Sequence, residues 1–370
     1  MKWLAAVAAL AYACVCAGAS GCRESSAPPA RGSAAGSAQT ANSAQTANSA
    51  QTAGSAQTAG SGHDPWASGT SGASAGAAGA PNDPWAVGPP PAGTPPSLME
   101  RHKLADEACP SVTGPYFFRV EKDGKTNYIL GTRHVSVPLA KFPQVVRDTL
   151  DASKLAVFEV APGDESTSHA PDIDLAGAVG THDWAHYTDL VGPDTAAAVA
   201  HGRPDTAMIS MMIEYEDISA TLDIEIQHEV AAKHIPARGL ETSQFQDDLL
   251  DKLLDLRALK TEIEQTKTRD ELRTNSHDDL AEYCAGTDTT PGTDDKDRKQ
   301  MRAGGYTDAE IDAQDDIMVF QRNARWIPQL ESLFADSGTF VAVGADHTIG
   351  DKGIVSLLRK RGFTITRIAK

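Results

Sequence analysis

From about residue 98 onward the sequence predicts an α/β domain in which helices flank a mixed or mainly parallel sheet. Two matching segments are the basis of this prediction. Residues 131–134 (Gly-Thr-Arg-His) follow the apolar run 128–130, and residues 344–347 (Gly-Ala-Asp-His) follow the apolar run 340–343. After each segment come a loop, an amphipathic helix and another apolar run, which is the pattern of a strand–helix–strand crossover. The same unit therefore opens and closes the folded part of the chain.

The other predicted strands place carboxylates beside these segments. Residues 116–120 and 127–130 flank Asp-Gly at 123–124 and predict a hairpin. Glu159 directly follows the apolar run 155–158, and Glu241 ends a short strand predicted over 237–240. Because a crossover puts successive parallel strands in one sheet, we expect the strand over 155–158 to lie beside the strand that ends at Gly131.

The helices are predicted from apolar periodicity. A leucine stripe predicts one long polar helix over 247–273, and a second long helix is predicted over 308–334. Residues 287–299 are polar and rich in Asp and Gly, which is typical of a loop. The chain then ends with a helix over 353–360 and a strand over 363–368.

Residues 1–22 have the features of an export signal. Lys2 precedes an apolar stretch over 4–18 that is too short to span a membrane, and small residues precede Cys22. This arrangement resembles that of bacterial lipoprotein precursors, in which Cys22 would carry the lipid. A plain secretory signal that is cut nearby is the alternative. We expect an exported protein that is lipid-anchored in the cell envelope, facing the periplasm or attached to the outer membrane.

Residues 23–97 are predicted to form a disordered linker between the signal and a folded domain over 98–370. A six-residue Ser-Ala-Gln-Thr-Ala-Asn unit recurs, and sequence rich in Gly, Ala, Ser and Pro follows it. Such a segment buries too little apolar surface to offset its ordering entropy. Asp-Pro-Trp-Ala occurs at 64–67 and again at 83–86, either as a docking motif or as a by-product of repeat duplication.

The formal net charge of the chain is −17. This acidity argues against nucleic acids and anionic lipid surfaces as partners. Cys109 and Cys284 remain after the signal, and an oxidising compartment would allow them to form a disulfide. A metal site built on these two cysteines is not favoured, because neither has a second cysteine or histidine nearby in the sequence.

The residues at the predicted sheet edge suit metal chemistry. His134, His347 and Glu159 would supply three protein ligands to a divalent ion of the Mn, Co or Zn class and leave a position open for water. Such an ion polarises a carbonyl and lowers the pKa of its water, which is hydrolysis chemistry. The glycines that open the two segments, Gly131 and Gly344, would allow the backbone to turn tightly.

Three further residues are candidates for the same site. Arg322 could stabilise a developing oxyanion, and Asn323 could orient a ligand or the substrate. Glu241 could serve as a general base or as a hydrogen-bonding partner of a histidine.

With the motifs at 131–134 and 344–347 and the glutamate between them, the chain resembles the TraB/GumN proteins, a family that includes the Tiki membrane-associated metalloproteases. The resemblance extends over about residues 116–370. The segments that carry it are 128–134, 157–159, 222–223, 239–242, 322–326 and 343–353.

The resemblance implies a fold related to the erythromycin-esterase and ChaN-like haem-binding domains. It also implies divalent-metal-dependent peptide cleavage, with His134, His347 and Glu159 in the positions implicated in the Tiki proteins. Arg133 and Asp346 stand where family members more often have small or apolar residues. These charges would either tune the choice of metal or substrate, or close the site through a salt bridge.

Two functions follow as expectations. The first is a membrane-tethered metal-dependent hydrolase, a peptidase that acts on peptides or proteins of the cell envelope. The second is a non-catalytic lipoprotein that uses the same sheet edge to bind haem, a metal or a small ligand. A third interpretation is an inactive domain whose histidines only hydrogen-bond loops.

Overall fold

The computed structural model describes residues 94–167, 169–287 and 295–369. Cys22, the six-residue repeats and both Asp-Pro-Trp-Ala segments lie outside the described residues. In the described part the strands of the main sheet are β1 (Phe117–Lys122), β2 (Lys125–Thr132), β3 (Leu155–Val160), β6 (Ala237–Glu241), β7 (Thr339–Gly344) and β8 (Thr364–Arg367). A separate two-stranded ribbon joins β4 (Ile173–Asp174) to β5 (His201–Gly202).

The helices fall into two groups along the chain. Those before β6 are α1 (Leu98–Ala108), α2 (Gln144–Asp151), α3 (Leu175–Val179), α4 (Thr181–Val191), α5 (Pro193–Val199), α6 (Pro204–Met212) and α7 (Leu222–Ala232). Those after it are α8 (Ser243–Leu253), α9 (Leu256–Gln265), α10 (Arg269–Ala285), α11 (Asp295–Ala303), α12 (Asp308–Asp315), α13 (Gln321–Leu333) and α14 (Ile354–Lys360). Among the described residues no helix is both long and apolar enough to span a bilayer.

The sheet confirms the predicted α/β fold. Its strand order is β6-β3-β7-β2-β1-β8, in which the first four strands are parallel and β1 is antiparallel to both of its neighbours. The carboxyl ends of the four parallel strands therefore meet at one edge, where open α/β sheets bind their ligands.

The predicted pairing of β3 with the strand ending at Gly131 is wrong, because β7 lies between them. Every residue of β7 is buried, whereas β2 and β3 each begin with less buried residues. A strand buried along its whole length packs best in the middle of a sheet. The crossover rule requires only that β2 and β3 belong to one sheet. A strand from later in the chain can therefore insert between them, as β7 does.

Two apolar cores stabilise the domain. One surrounds the sheet and includes Phe117, Ile129, Val157 and Leu358. The other lies among the helices, where Leu175, Tyr187, Met211 and Leu259 are fully buried.

The single helix predicted over 247–273 is also wrong, because α8, α9 and the start of α10 occupy this stretch. The Asp255 side chain accepts from the amide of Ala258 and caps α9. The Thr268 side chain accepts from the amide of Glu271 and caps α10. Residues that satisfy the free amides of a helix start favour a new helix over the continuation of the old one.

The polar loop predicted over 287–299 is only partly a loop. Residues 288–294 lie outside the described residues, and α11 begins at Asp295. Cys109 and Cys284 form a disulfide between the end of α1 and the last turn of α10.

Candidate functional site

The carboxyl edge of the parallel strands gathers the predicted site residues. Glu241 ends β6, and Glu159 lies near the end of β3. His347 belongs to a short 3-10 helix that directly follows β7, and His134 follows β2. His134, His347 and Glu159 are all buried.

Glu159 is hydrogen-bonded through both of its oxygens. Oε1 accepts from the Gly344 amide at 2.7 Å, and Oε2 accepts from Arg322 at 2.5 Å and from Gln246 Nε2 at 3.1 Å. Burial by itself would raise the pKa of this carboxyl, but Arg322 and the nearby histidines outweigh it and lower the pKa to about 2. Glu159 is therefore an anion at neutral pH.

Arg322 joins Glu159 to Glu241. Its Nη2 donates to Glu241 Oε1 at 2.6 Å, and its Nη1 donates back to the Met318 carbonyl at 3.0 Å. Glu241 also accepts from Trp326 Nε1 at 3.2 Å, yet burial raises the pKa of this carboxyl above its ordinary value. Of the two carboxylates on Arg322, Glu241 therefore takes up a proton more readily.

His347 presents a lone pair toward Glu159. Asn323 Nδ2 donates to the Lys352 carbonyl at 3.0 Å, so Asn323 Oδ1 is the acceptor for the proton on His347 Nδ1, 2.7 Å away. Burial lowers the pKa of His347 to about 3, which keeps the ring neutral at pH 7. Its Nε2 is then an acceptor that lies 3.7 Å from Glu159 Oε1.

His134 is paired with Asp223 in the first turn of α7. His134 Nδ1 lies 2.6 Å from Asp223 Oδ2, and the Thr132 hydroxyl donates to Asp223 Oδ1 at 2.9 Å. Burial opposes the charged imidazole, but the Asp223 carboxylate outweighs burial and raises the pKa of His134. With Nδ1 committed to Asp223, the ring exchanges protons through Nε2.

The donor set fits a divalent cation in part. Among the described residues, no three His, Cys, Asp or Glu side chains are grouped closely enough to hold a metal ion. Glu159 Oε1 and His347 Nε2 nevertheless face each other as two acceptors, and Asn323 fixes the second nitrogen of the imidazole. Such a partner on the far ring nitrogen is typical of a metal-binding histidine.

The structure also shows what the two flanking glycines and Arg133 do. A Cβ atom at residue 344 would come within 3.2 Å of Glu159 Oε1, so a side chain there would crowd this carboxylate. Neither Gly131 nor Gly344 has a positive φ. The Arg133 guanidinium donates to Glu216 at 2.8 Å, and both side chains are buried.

The structure adds three site residues to those that the sequence predicts: Asp223, Gln246 and Trp326. Asp223 belongs to a segment that the sequence singles out only through the resemblance, although a carboxylate in the first turn of a helix, here α7, is a signal in its own right. Gln246 lies on α8, one residue before the helix that the sequence predicts over 247–273. Trp326 belongs to the segment 322–326, which the sequence singles out only through the resemblance.

A sheet that collects imidazoles and carboxylates at the carboxyl edge of its parallel strands defines an α/β domain with a polar site at that edge. The TraB/PrgY/gumN family model matches residues 116–367, which is most of the described chain. The chain belongs to this family, as the sequence resemblance predicted. No curated protein and no solved structure matches it.

Proposed function

We propose that the domain is a hydrolase that requires a divalent metal ion and cleaves peptides or proteins. The observation that supports it best is the pair of acceptors formed by His347 Nε2 and Glu159 Oε1, 3.7 Å apart. Two lone pairs that face each other in a buried place repel, and a cation between them removes the repulsion.

The charge balance of the site supports the same proposal. Glu159 and Glu241 pair with the guanidinium of Arg322, and a third carboxylate, that of Asp223, pairs with His134. With all three carboxylates ionised, they outnumber the cations of this group even when His134 is protonated. Uncompensated buried charge is costly, so the site favours the binding of a divalent cation or of protons.

In this proposal His347 Nε2 and Glu159 Oε1 would hold the ion. When bound there, a divalent ion would polarise a substrate carbonyl and lower the pKa of a water molecule. His134 Nε2 accepts a proton from the attacking water, and the Asp223 carboxylate stabilises the imidazolium that forms. This role differs from that of the third ligand which the sequence predicts for His134.

Arg322 and Glu241 hold the Glu159 carboxylate in place through a shared set of hydrogen bonds. The bonds of Arg322 to Glu159, Glu241 and the Met318 carbonyl occupy most of its donors. We therefore assign Arg322 to holding Glu159 in its orientation rather than to stabilising an oxyanion. Gln246 Nε2 bonds both carboxylates and completes the same support.

Metal content tests the proposal directly. The full chain, purified without chelators and supplied with Mn²⁺, Co²⁺ or Zn²⁺, should bind one ion. His347→Ala and Glu159→Gln should lose that ion, whereas His134→Ala should retain it. His228→Ala on α7 is the matched control, since that side chain is exposed. Loss of the ion in His134→Ala would make His134 a ligand, and retention of the ion in all three site variants would refute the shared site.

Hydrolysis is tested separately with a peptide library, with and without a chelator. Cleavage that a chelator stops, and that His134→Ala abolishes while the ion stays bound, supports the hydrolase. Stoichiometric metal without cleavage of any peptide would instead favour a binding protein.

A further inference from the structure

We propose that Glu216 is a positioning residue for His134. The inference rests on the proposed function, in which His134 moves the proton. Glu216 lies in the connection between α6 and α7, which also leads to Asp223 at the start of α7. The stretch from Glu216 to Asp223 therefore contacts the His134 region at two places. Asp223 contacts the His134 ring, and Glu216 contacts the residues beside it in the turn.

The Glu216 carboxylate is buried and bonds the residues on both sides of His134. Its Oε1 accepts from Arg133 Nη2 at 2.8 Å, and its Oε2 accepts from the Ser136 hydroxyl at 2.5 Å. The Ser276 hydroxyl of α10 also donates to Oε1, at 2.9 Å. Glu216 thus connects the turn that carries His134 to a long helix of the domain.

The backbone of this turn needs such support. Ser136 has a φ of 71°, a left-handed conformation that is costly for a residue other than glycine. Its amide donates to the Asp217 carbonyl at 3.1 Å, and its hydroxyl accepts from the Asp217 amide at 2.8 Å. The bonds from Glu216 and Asp217 together maintain this conformation at Ser136.

The consequence for His134 follows from its ring contact. The Nδ1 bond to Asp223 is 2.6 Å long, so a small shift of the turn would lengthen or misalign it. Misplacement of a catalytic group by about 1 Å can lower a rate about 100-fold. Glu216 touches neither ring nitrogen of His134 and acts through Arg133 and Ser136.

The test compares Glu216→Gln with Glu214→Gln in the full chain. Glu214 is an equally buried glutamate two residues away, but it bonds Arg101 and Arg269 instead of the turn. With ¹⁵N-labelled histidine, NMR reports the ring shifts of His134 and the exchange rate of its Nδ1 proton. Glu216→Gln should shift the His134 ring signals and speed the exchange about 10-fold or more, whereas Glu214→Gln should leave both unchanged.

Activity gives the second measurement. On any peptide that the wild-type chain cleaves, Glu216→Gln should lower kcat about 10- to 100-fold with little change in KM. The NMR result is independent of turnover, so a wild-type chain that cleaves nothing refutes the hydrolase and leaves the positioning role to be judged by NMR.

A folding defect is separated by a double variant. Glu216→Gln removes the charge of a carboxylate that pairs with the buried Arg133, which by itself destabilises the fold. Glu216→Gln/Arg133→Gln removes both charges and should fold, yet still show the altered His134 ring signals. Unchanged His134 signals and exchange in a folded Glu216→Gln or double variant would overturn the proposal.

Discussion

At the scale of single residues, the site depends on a buried ion-pair group with more anions than cations. Arg322 is almost fully buried and contacts both Glu159 and Glu241. Removing the only guanidinium of this group leaves two carboxylates facing each other in a dry environment. The cost of an unpaired buried charge exceeds the net gain of the pair itself.

Arg322→Met should therefore destabilise the fold by about 3–5 kcal/mol, because it leaves two buried carboxylates without the cation that they share. Urea unfolding at pH 7 measures this change. The control is Arg325→Met on the same helix, whose side chain is exposed and stacks on Phe245; it should cost less than about 1 kcal/mol. Equal effects of the two variants would mean that Arg322 contributes no more than a surface cation.

At the scale of elements, the site requires β2 to pack tightly against the 3-10 helix after β7. Gly131 in β2 lies where a Cβ atom would come within 2.8 Å of Tyr116 Cβ and 2.9 Å of Ala345 Cα. The amide of Gly131 also donates to the Tyr116 carbonyl at 2.8 Å. The helix that holds His347 can approach the sheet because residue 131 has no side chain.

Gly131→Ala should destabilise the domain by about 1–3 kcal/mol, since backbone atoms must move to admit the methyl group. Thermal unfolding followed by circular dichroism measures the loss. Gly202→Ala in β5 is the matched control, because its Cβ would meet the Val199 carbonyl oxygen at 3.4 Å, an ordinary contact. A Gly131→Ala chain as stable as that control would show that β2 and the 3-10 helix can separate freely.

The sequence predicts helices and strands well where one apolar periodicity dominates. It predicts them poorly where contacts with neighbouring elements determine the local structure. The helix predicted over 308–334 exists as α12 and α13, but residues 316–320 between them form a π-helix. This turn supplies the Met318 carbonyl that accepts from Arg322. No periodicity over five residues distinguishes a π turn from an α turn, so the sequence could not reveal it.

At the scale of the whole molecule, the sequence predicts strand ends better than strand neighbours. His134, His347, Glu159 and Glu241 were found because each follows a short apolar run, and all four strands end at one edge. The central place of β7 depends on contacts more than 200 residues apart along the chain, which local pattern does not contain. Asp223 is missed because its partner His134 lies 89 residues away, and a carboxylate in the first turn of a helix does not identify that partner.

The long-range contacts also connect α1 to the rest of the domain. The disulfide joins its end to α10, and Arg101 of α1 lies 3.4 Å from Glu214. Arg269 of α10 contacts the same carboxylate at 3.0 Å. Burial raises the pKa of Glu214 to about 7 in spite of both cations, from an ordinary value of 4.5.

This raised pKa makes stability depend on pH in one direction. Between about pH 4.5 and 7 the folded chain binds a proton at Glu214 that the unfolded chain has released, so unfolding loses a proton and stability falls as pH rises. The loss amounts to roughly 3 kcal/mol and is complete above about pH 7.

Urea unfolding from pH 4.5 to 8 should show this decline for the wild-type chain relative to Glu214→Gln, which lacks the titrating group. The loss of the Arg101 and Arg269 ion pairs in the variant adds an offset between the two curves, whereas the Glu214 proton changes their slope. Parallel curves across that range would mean that the two arginines keep Glu214 charged in the folded state.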